Sequence, residues 1–132
     1  MAREWYSNLE QNAYSKWHRQ FEGLAGIDLD FFEVCPKCYE PLAVKETCFD
    51  KNQQFKATTL TKMVGDRLKI PAFLIFYTPL PNDTMKFRIK RVSEPMTEIH
   101  EVNQEEWLSY LYSLQEEHRR CCKYATQVWS SH

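Results

Sequence analysis

Residues 71–80, PAFLIFYTPL, form an almost continuous apolar run that is rich in residues favoured in strands. Such a run predicts a strand that is buried on both faces and lies centrally in a sheet. After a turn at residues 81–83, residues 85–92, MKFRIKRV, alternate apolar and basic side chains, which predicts a half-exposed edge strand. These basic side chains either contact a phosphate backbone or only keep a sheet edge from pairing with another chain.

Two further strands are predicted nearer the N-terminus. Residues 27–35, IDLDFFEVC, alternate with the two-residue period of a strand, and residues 41–49, PLAVKETCF, form a second apolar-rich run. Between them, the CPKC segment at residues 35–38 contains a proline and suits a tight turn. The sequence therefore predicts a β-hairpin with cysteines at its tip.

Helical spacing predicts two helices in the first half of the chain. Residues 3–22 carry an apolar side chain at every fourth position from Trp5 to Phe21, which predicts an amphipathic helix. Residues 56–69 repeat the helical spacing, with Thr58 or Thr59 as the residue that caps the helix N-terminus.

A third helix is predicted over about residues 104–118. Asn103 and Glu106 have the spacing of a capping box, while Val102 and Trp107 have the spacing of a hydrophobic staple. The order of elements is then helix, strand, strand, helix, strand, strand, helix. This order predicts a mixed α/β fold, in which a central mixed sheet of about four strands is flanked by helices.

Composition and charge limit the classes of protein that this chain can belong to. It has 132 residues, 43% of them hydrophobic and 27% charged, with a formal net charge of −1, which predicts one domain over residues 1–132. No apolar run is long enough to cross a bilayer and the first residues lack the apolar core of a signal peptide, so we expect a cytoplasmic protein without a membrane partner. Near-neutral charge excludes a protein that coats nucleic acid by charge alone, so any phosphate contact must be local.

An acidic group marks the two strands of the hairpin. Asp28 and Asp30 lie on the first strand and Glu46 on the second, with Lys45 and Lys56 nearby in the sequence. Carboxylates on neighbouring strands can share one Mg²⁺ or Mn²⁺ ion, and a lysine beside them can orient a water molecule or stabilise charge on a phosphodiester. The alternative is that these acids are solvated groups at a sheet edge.

The cysteines suggest a second metal site. Cys35 and Cys38 form one half of a zinc knuckle, since a turn brings both sulfur atoms within reach of one ion. The missing ligands must come from Cys48, His100, His118, Cys121, Cys122 or His132, or from another subunit. Cys121 and Cys122, with His118, are the natural candidates if the last helix packs beside the hairpin. The alternative is that Cys35 and Cys38 are thiols without a metal.

Three segments together are similar to the core of the restriction-endonuclease-like, or PD-(D/E)XK, nuclease superfamily, in a small version found in phage genomes. They are GIDLDFFEV, PLAVKET and KATTLTKMVGDRLKIPAFLIFY, and the similarity covers roughly residues 5–78. The resemblance implies a Mg²⁺-dependent endonuclease or exonuclease that acts on DNA, and a dimer in the bacterial cytoplasm. It also implies that Asp30, or else Asp28, is the first metal ligand and Glu46 the second.

This sequence departs from the superfamily pattern at one position. The pattern has a lysine two residues after Glu46, where this chain has Cys48. Lys56 can supply the missing cation, whereas Lys45 should point to the opposite face of a regular strand. The same departure fits an alternative function, in which the fold is catalytically inactive and the protein is a zinc-containing factor that binds DNA or another protein.

Overall fold

A computed structural model describes residues 13–14, 16–24 and 31–123 of the chain. Within these ranges the fold is mixed α+β, with one sheet and a helix on each of its faces. The elements, in chain order, are β1 (Phe31–Val34), β2 (Pro41–Phe49), α1 (Thr59–Leu68), β3 (Ala72–Leu80), a 3-10 turn (Pro81–Asp83), β4 (Thr84–Arg91), β5 (His100–Asn103) and α2 (Gln104–Arg119).

The described strands form a five-stranded sheet with the order β1-β2-β3-β4-β5. β2 and β3 run parallel because α1 carries the chain back across the sheet, and the other neighbouring pairs are antiparallel. β3, predicted as the central strand, is the middle strand of the sheet, and the predicted hairpin is formed by β1 and β2. The mixed α/β prediction is thus confirmed at the level of fold class.

The prediction that residues 85–92 form an edge strand is wrong. β4 pairs with β3 on one side and with β5 on the other, where Phe87 lies opposite Val102. β5 raises the number of described strands above the predicted four. Its four residues, HEVN, are short and polar, and they immediately precede the helix cap, so no strand periodicity marked them.

The two faces of the sheet pack against different helices. The α1 face buries, beneath α1, the side chains of Val44, Ala72, Leu74, Phe76 and Val92. The α2 face buries, beneath α2, the side chains of Ala43, Phe73, Ile75, Ile89 and Trp107. Alternation along β2 and β3 sends successive side chains to opposite faces, so each strand contributes to both halves of the core.

α1 lies very close to the sheet because of one glycine. A Cβ atom at Gly65 would lie 2.6 Å from the Cβ of Ala72 and 3.3 Å from the Cβ of Ser93. The Ser93 hydroxyl in turn accepts a hydrogen bond of 2.8 Å from the Ala72 N–H. The helix begins after Thr58, as predicted, and ends at Lys69 in a left-handed conformation.

The predicted capping box of α2 is confirmed. The Glu106 N–H donates to Asn103 Oδ1 at 2.8 Å, and the Asn103 N–H donates to Glu106 Oε1 at 3.0 Å. Val102 and Trp107 pack into the same core cluster, as the staple requires. This start fixes the direction in which α2 leaves the sheet and therefore the position of its last turn.

The helix predicted over residues 3–22 lies largely outside the described residues. Residues 13–14 and 16–18 are helical, and residues 19–20 form a turn, so the described helical segment ends earlier than predicted. In the described part of the chain, no helix has the length and apolarity needed to cross a membrane.

Candidate metal centre

The tip of the β1–β2 hairpin places two thiols side by side. The Cys35 N–H donates to the Glu40 carbonyl at 2.9 Å, and the Tyr39 N–H donates to the Cys35 carbonyl at 2.9 Å. The Lys37 N–H lies 3.4 Å from Cys35 Sγ. These bonds close the CPKC turn, and backbone N–H groups that point at sulfur stabilise it in its charged form.

The end of α2 supplies two more ligand atoms. The N–H groups of Cys121 and Cys122 both donate to the His118 carbonyl at 2.9 Å, which continues the helical turn past Arg119. His118 and Cys122, four residues apart, therefore lie on one side of this turn. Leu42 and Leu114 pack against the cysteines and hold the end of α2 on the hairpin.

One ligand atom from each of Cys35, Cys38, His118 and Cys122 forms a cluster in which all four lie within 4.8 Å of one another. Cys35 Sγ is 3.9 Å from Cys122 Sγ, and Cys38 Sγ is 3.3 Å from His118 Nε2. A tetrahedral zinc ion places its sulfur and nitrogen ligands about 3.4–3.8 Å apart. The cluster can therefore bind a metal such as zinc with small adjustments of its side chains.

Burial and hydrogen bonding act differently on the two thiols of the turn. Burial raises the pKa of Cys35, but the N–H groups of Cys38 and Lys37, together with side-chain hydrogen bonds to Cys38 and Cys122, hold its pKa below the ordinary value. At Cys38 the N–H of Glu40 lowers the pKa, while burial and the thiols of Cys35 and Cys122 outweigh it and raise the pKa. A cation at the cluster would favour the thiolate form of both residues.

Three of the four cysteines predicted as zinc ligands lie together in the structure, namely Cys35, Cys38 and Cys122. The fourth, Cys121, lies outside this cluster. Its side chain is exposed, with Sγ 3.4 Å from the His118 carbonyl oxygen and 3.9 Å from His118 Nδ1. Neighbouring residues of a helical turn point about 100° apart, so Cys121 and Cys122 cannot both face the cluster. His118, an alternative in the sequence analysis, takes the fourth position.

The predicted Mg²⁺ site is only partly described. Asp28 and Asp30 lie outside the described residues. Glu46 lies on the α1 face, level with Leu74 of β3, and Lys56 Nζ is 2.9 Å from its Oε2 atom. In the described residues, the only group of three or more metal ligands is the cysteine–histidine cluster.

Lys45 lies on the opposite face from Glu46, as the alternation of β2 predicts. Its Nζ atom is 2.7 Å from Glu33 Oε1 and 4.4 Å from the centre of the Phe31 ring, and its side chain is only 7% exposed. It therefore makes a buried ion pair on the α2 face and does not contact Glu46. Of the two lysines predicted near Glu46, Lys56 forms an ion pair with it and Lys45 does not.

A second ion pair on the α1 face was not predicted. Arg88 donates from Nε to Asp50 Oδ2 at 2.9 Å and from Nη2 to Asp50 Oδ1 at 2.8 Å. Its guanidinium group lies 4.7 Å from the centre of the Phe76 ring. The hydrogen bonds from Arg88 lower the pKa of Asp50 to about 2. The two residues are 38 positions apart, so no local pattern could reveal this pair.

Comparison of the chain with protein-family models, with curated proteins and with solved structures gave no match in any of the three.

Proposed function

We propose that this chain is a zinc-stabilised nuclease-like domain that hydrolyses phosphodiester bonds in DNA, with a divalent cation at Glu46. The observation that carries this proposal is the 2.9 Å contact between Lys56 Nζ and Glu46 Oε2. It places an ammonium group beside the carboxylate that the superfamily resemblance assigns to the metal. Both residues belong to the acidic site that the sequence predicts.

Lys56 compensates for the departure at Cys48. Side chains two residues apart on a strand share a face, so Cys48 occupies the position from which the superfamily lysine would reach the metal-bound water. Lys56 approaches the same face from the segment that links β2 to α1. Its side chain is 41% exposed while that of Glu46 is 18% exposed, so the lysine can exchange its carboxylate partner for a phosphate oxygen.

The donor set at Glu46 suits Mg²⁺ or Mn²⁺. These ions bind one or two protein carboxylates and take their remaining ligands from water and substrate phosphates, and when bound they lower the pKa of a water molecule and polarise the phosphodiester. Glu46 supplies one carboxylate, and the resemblance assigns the other to Asp30 or Asp28. Lys56 holds its proton at Nζ and stabilises negative charge on the phosphodiester oxygens.

Basic side chains on β4 support DNA as the substrate. Lys86 and Lys90 lie opposite Thr78 and Leu74 of β3, so they project from the α1 face, as Glu46 does. Glu46, Leu74 and Lys90 form one row across three strands, which separates the backbones of Glu46 and Lys90 by about 10 Å. A DNA backbone that reaches Glu46 can therefore contact both lysines.

Zinc in the cysteine–histidine cluster has a structural function in this proposal. Three thiols and one imidazole complete a tetrahedral set, which leaves no position for a substrate. The cluster joins the β1–β2 hairpin to the last turn of α2, and zinc binding there contributes directly to folding.

The test is cleavage of labelled duplex, single-stranded and branched DNA by the full chain, with Mg²⁺ or Mn²⁺ added or omitted. We expect metal-dependent cleavage that falls by about 100-fold or more in Glu46→Gln and Lys56→Met, because each variant removes a charge at the reacting phosphate. Glu33→Gln and Lys62→Met are matched controls, since both residues make ion pairs away from Glu46. Metal-dependent cleavage by Glu46→Gln at the wild-type rate would overturn the assignment of Glu46 to the metal site.

Cys48 favours a second candidate function, namely a catalytically inactive zinc-containing protein that binds DNA or a protein. In that case the Lys56–Glu46 ion pair only neutralises a carboxylate that no longer holds a metal. Zinc-loaded, folded protein that binds DNA without cleaving any of the three substrates would support this function over the nuclease.

A further inference from the structure

Two thiols of the cysteine–histidine cluster face each other from opposite ends of the described fold. Cys35 directly follows β1, Cys122 lies in the turn after α2, and their Sγ atoms are 3.9 Å apart. The five cysteines of the chain are free thiols in this structure. The S–S bond of a disulfide is about 2.05 Å long, so each of the two sulfur atoms needs to move by only about 1 Å to form one.

Apolar packing holds these two sulfur atoms in place. Leu42 and Leu114 contact the cysteines and keep the end of α2 on the β1–β2 hairpin. Cys35 is fully buried and Cys122 is 5% exposed, so their side chains have little room to turn away from each other. Two reacting groups that the fold holds in contact react much faster than the same groups meeting by diffusion.

The third sulfur atom of the cluster has a different contact. Cys38 Sγ lies 3.3 Å from His118 Nε2. Two contacts therefore join the hairpin to the last turn of α2, and only the one between Cys35 and Cys122 joins two sulfur atoms. Cys38 Sγ is also within 4.8 Å of both other sulfur atoms, which makes it the competitor that an experiment has to exclude.

The position of the cluster near the surface limits which oxidants reach it. Cys38 is half-buried, and Tyr39, Glu40 and Cys121 around it are exposed. The path from solvent to the sulfur atoms is therefore short but narrow. Hydrogen peroxide is small enough for this path, whereas a bulky disulfide such as oxidised glutathione would meet the exposed Cys121 first.

We propose that Cys35 and Cys122 form a site of reversible oxidation, at which a peroxide closes a disulfide and expels zinc. This inference rests on the zinc centre of the proposed function and is independent of the cleavage site. The disulfide removes two of four ligands, and Cys38 and His118 alone do not complete a tetrahedral set. Because the two cysteines are 87 residues apart, the disulfide replaces zinc as the link between the hairpin and α2.

The reaction balances with one molecule of hydrogen peroxide. One thiolate attacks a peroxide oxygen, the O–O bond breaks, hydroxide leaves, and the sulfur becomes a sulfenic acid. The other thiolate attacks that sulfur, the S–O bond breaks, a second hydroxide leaves, and the S–S bond forms. The two sulfur atoms together lose the two electrons that reduce the peroxide. A dithiol reductant returns two electrons and restores both thiols for zinc binding.

The test maps the disulfide in zinc-loaded, full-length Cys121→Ser, because Cys121 and Cys122 lie on one tryptic peptide. Trypsin also cuts after Lys37, which separates Cys35 from Cys38. After hydrogen peroxide treatment and thiol blocking, we expect mass spectrometry of the unreduced digest to show the Cys35 peptide linked to the Cys122 peptide. One zinc ion per chain should be released to a chromogenic chelator, and dithiothreitol with added zinc should reverse both changes.

Two further variants in the same background locate the reaction. Cys38→Ser should still form the linkage, because Cys38 is not one of the joined residues, and Cys48→Ser should behave as its parent. A main linkage to Cys38, zinc loss without the Cys35–Cys122 linkage, or zinc and thiols that persist in peroxide would each overturn the proposal. Elemental analysis before peroxide is added tests the zinc centre separately, and a chain without zinc would overturn both.

Discussion

The cysteine–histidine cluster and the Glu46–Lys56 pair each join the β1–β2 hairpin to a partner from another part of the chain, but they differ in how far apart the partners are. Lys56 is ten residues from Glu46, and its side chain is 41% exposed. Cys122 is 87 residues from Cys35, and both are buried. The first site depends on one short connection, while the second requires that the whole sheet and α2 be in place.

This difference in separation and burial indicates which interactions stabilise each site. A partly exposed ion pair contributes little to the free energy of unfolding, so exchange of its partner for a ligand would cost the fold little. Thiolates are unfavourable when they are buried without a cation, so the thiolate form of the cluster depends on a bound metal. The two sites should therefore respond very differently to substitution.

The largest expected effect is at the cluster. Cys35→Ser combined with Cys38→Ser should abolish zinc binding and reduce the free energy of unfolding by about 4 kcal/mol or more, because two of four ligands are lost. Elemental analysis and thermal denaturation of the same preparation measure both effects. Cys48→Ser, outside the cluster, is the control and should keep one zinc ion per chain. A purified wild-type protein without zinc would contradict the assignment.

A smaller effect is expected on the α1 face, where Arg88 lowers the pKa of Asp50 to about 2 from an ordinary 3.8. Because the folded state binds this proton less readily than the unfolded state, the pair adds stability above about pH 4 and loses it as the pH falls toward 2. We expect a loss of about 1–2 kcal/mol from this group. Urea denaturation between pH 2 and pH 5 should show it in the wild type.

Asp50→Asn supplies the matched comparison for that measurement. The variant lacks the titrating carboxylate, so its curve of stability against pH should be flatter over the same range, starting from a lower value near pH 5. Parallel curves for the two proteins would show that the Asp50–Arg88 pair does not contribute to acid sensitivity.

The smallest effect is expected at Cys121, which the sequence places among the ligands and the structure places outside them. Cys121→Ser should retain one zinc ion per chain and change the free energy of unfolding by less than about 0.5 kcal/mol, because the side chain is exposed. His118→Ala, three residues earlier, should lose zinc or bind it much more weakly. If Cys121→Ser lost zinc and His118→Ala retained it, Cys121 and not His118 would be the fourth ligand.

Sequence patterns predicted the elements whose signals are local. The apolar run of β3, the capping box at Asn103 and the thiols of the CPKC turn were all identified from neighbouring residues, and the structure confirms them. Side-chain alternation also placed Lys45 and Glu46 on opposite faces. In each case the feature depends on residues that are only a few positions apart, so a local sequence pattern is enough to predict it.

The remaining features depend on contacts that form only in the folded chain. β5 is a strand because β4 offers it an unpaired edge, not because HEVN has strand propensity. The choice between Cys121 and Cys122 depends on the rotation of the last turn of α2, which packing against Leu42 and Leu114 determines. The Asp50–Arg88 pair requires β2 and β4 to be assembled around β3, and no sequence spacing predicts that.

The long separation between Cys35 and Cys122 also bears on how the chain reaches its folded state. Closing a loop of this length has an entropic cost that native contacts must offset, so we expect the four ligands to meet late, after α1, β3, β4 and α2 have assembled. A zinc ion bound early holds only the two thiols of the CPKC turn. Full tetrahedral coordination would thus mark completed assembly, and we expect a zinc ion bound there to slow unfolding.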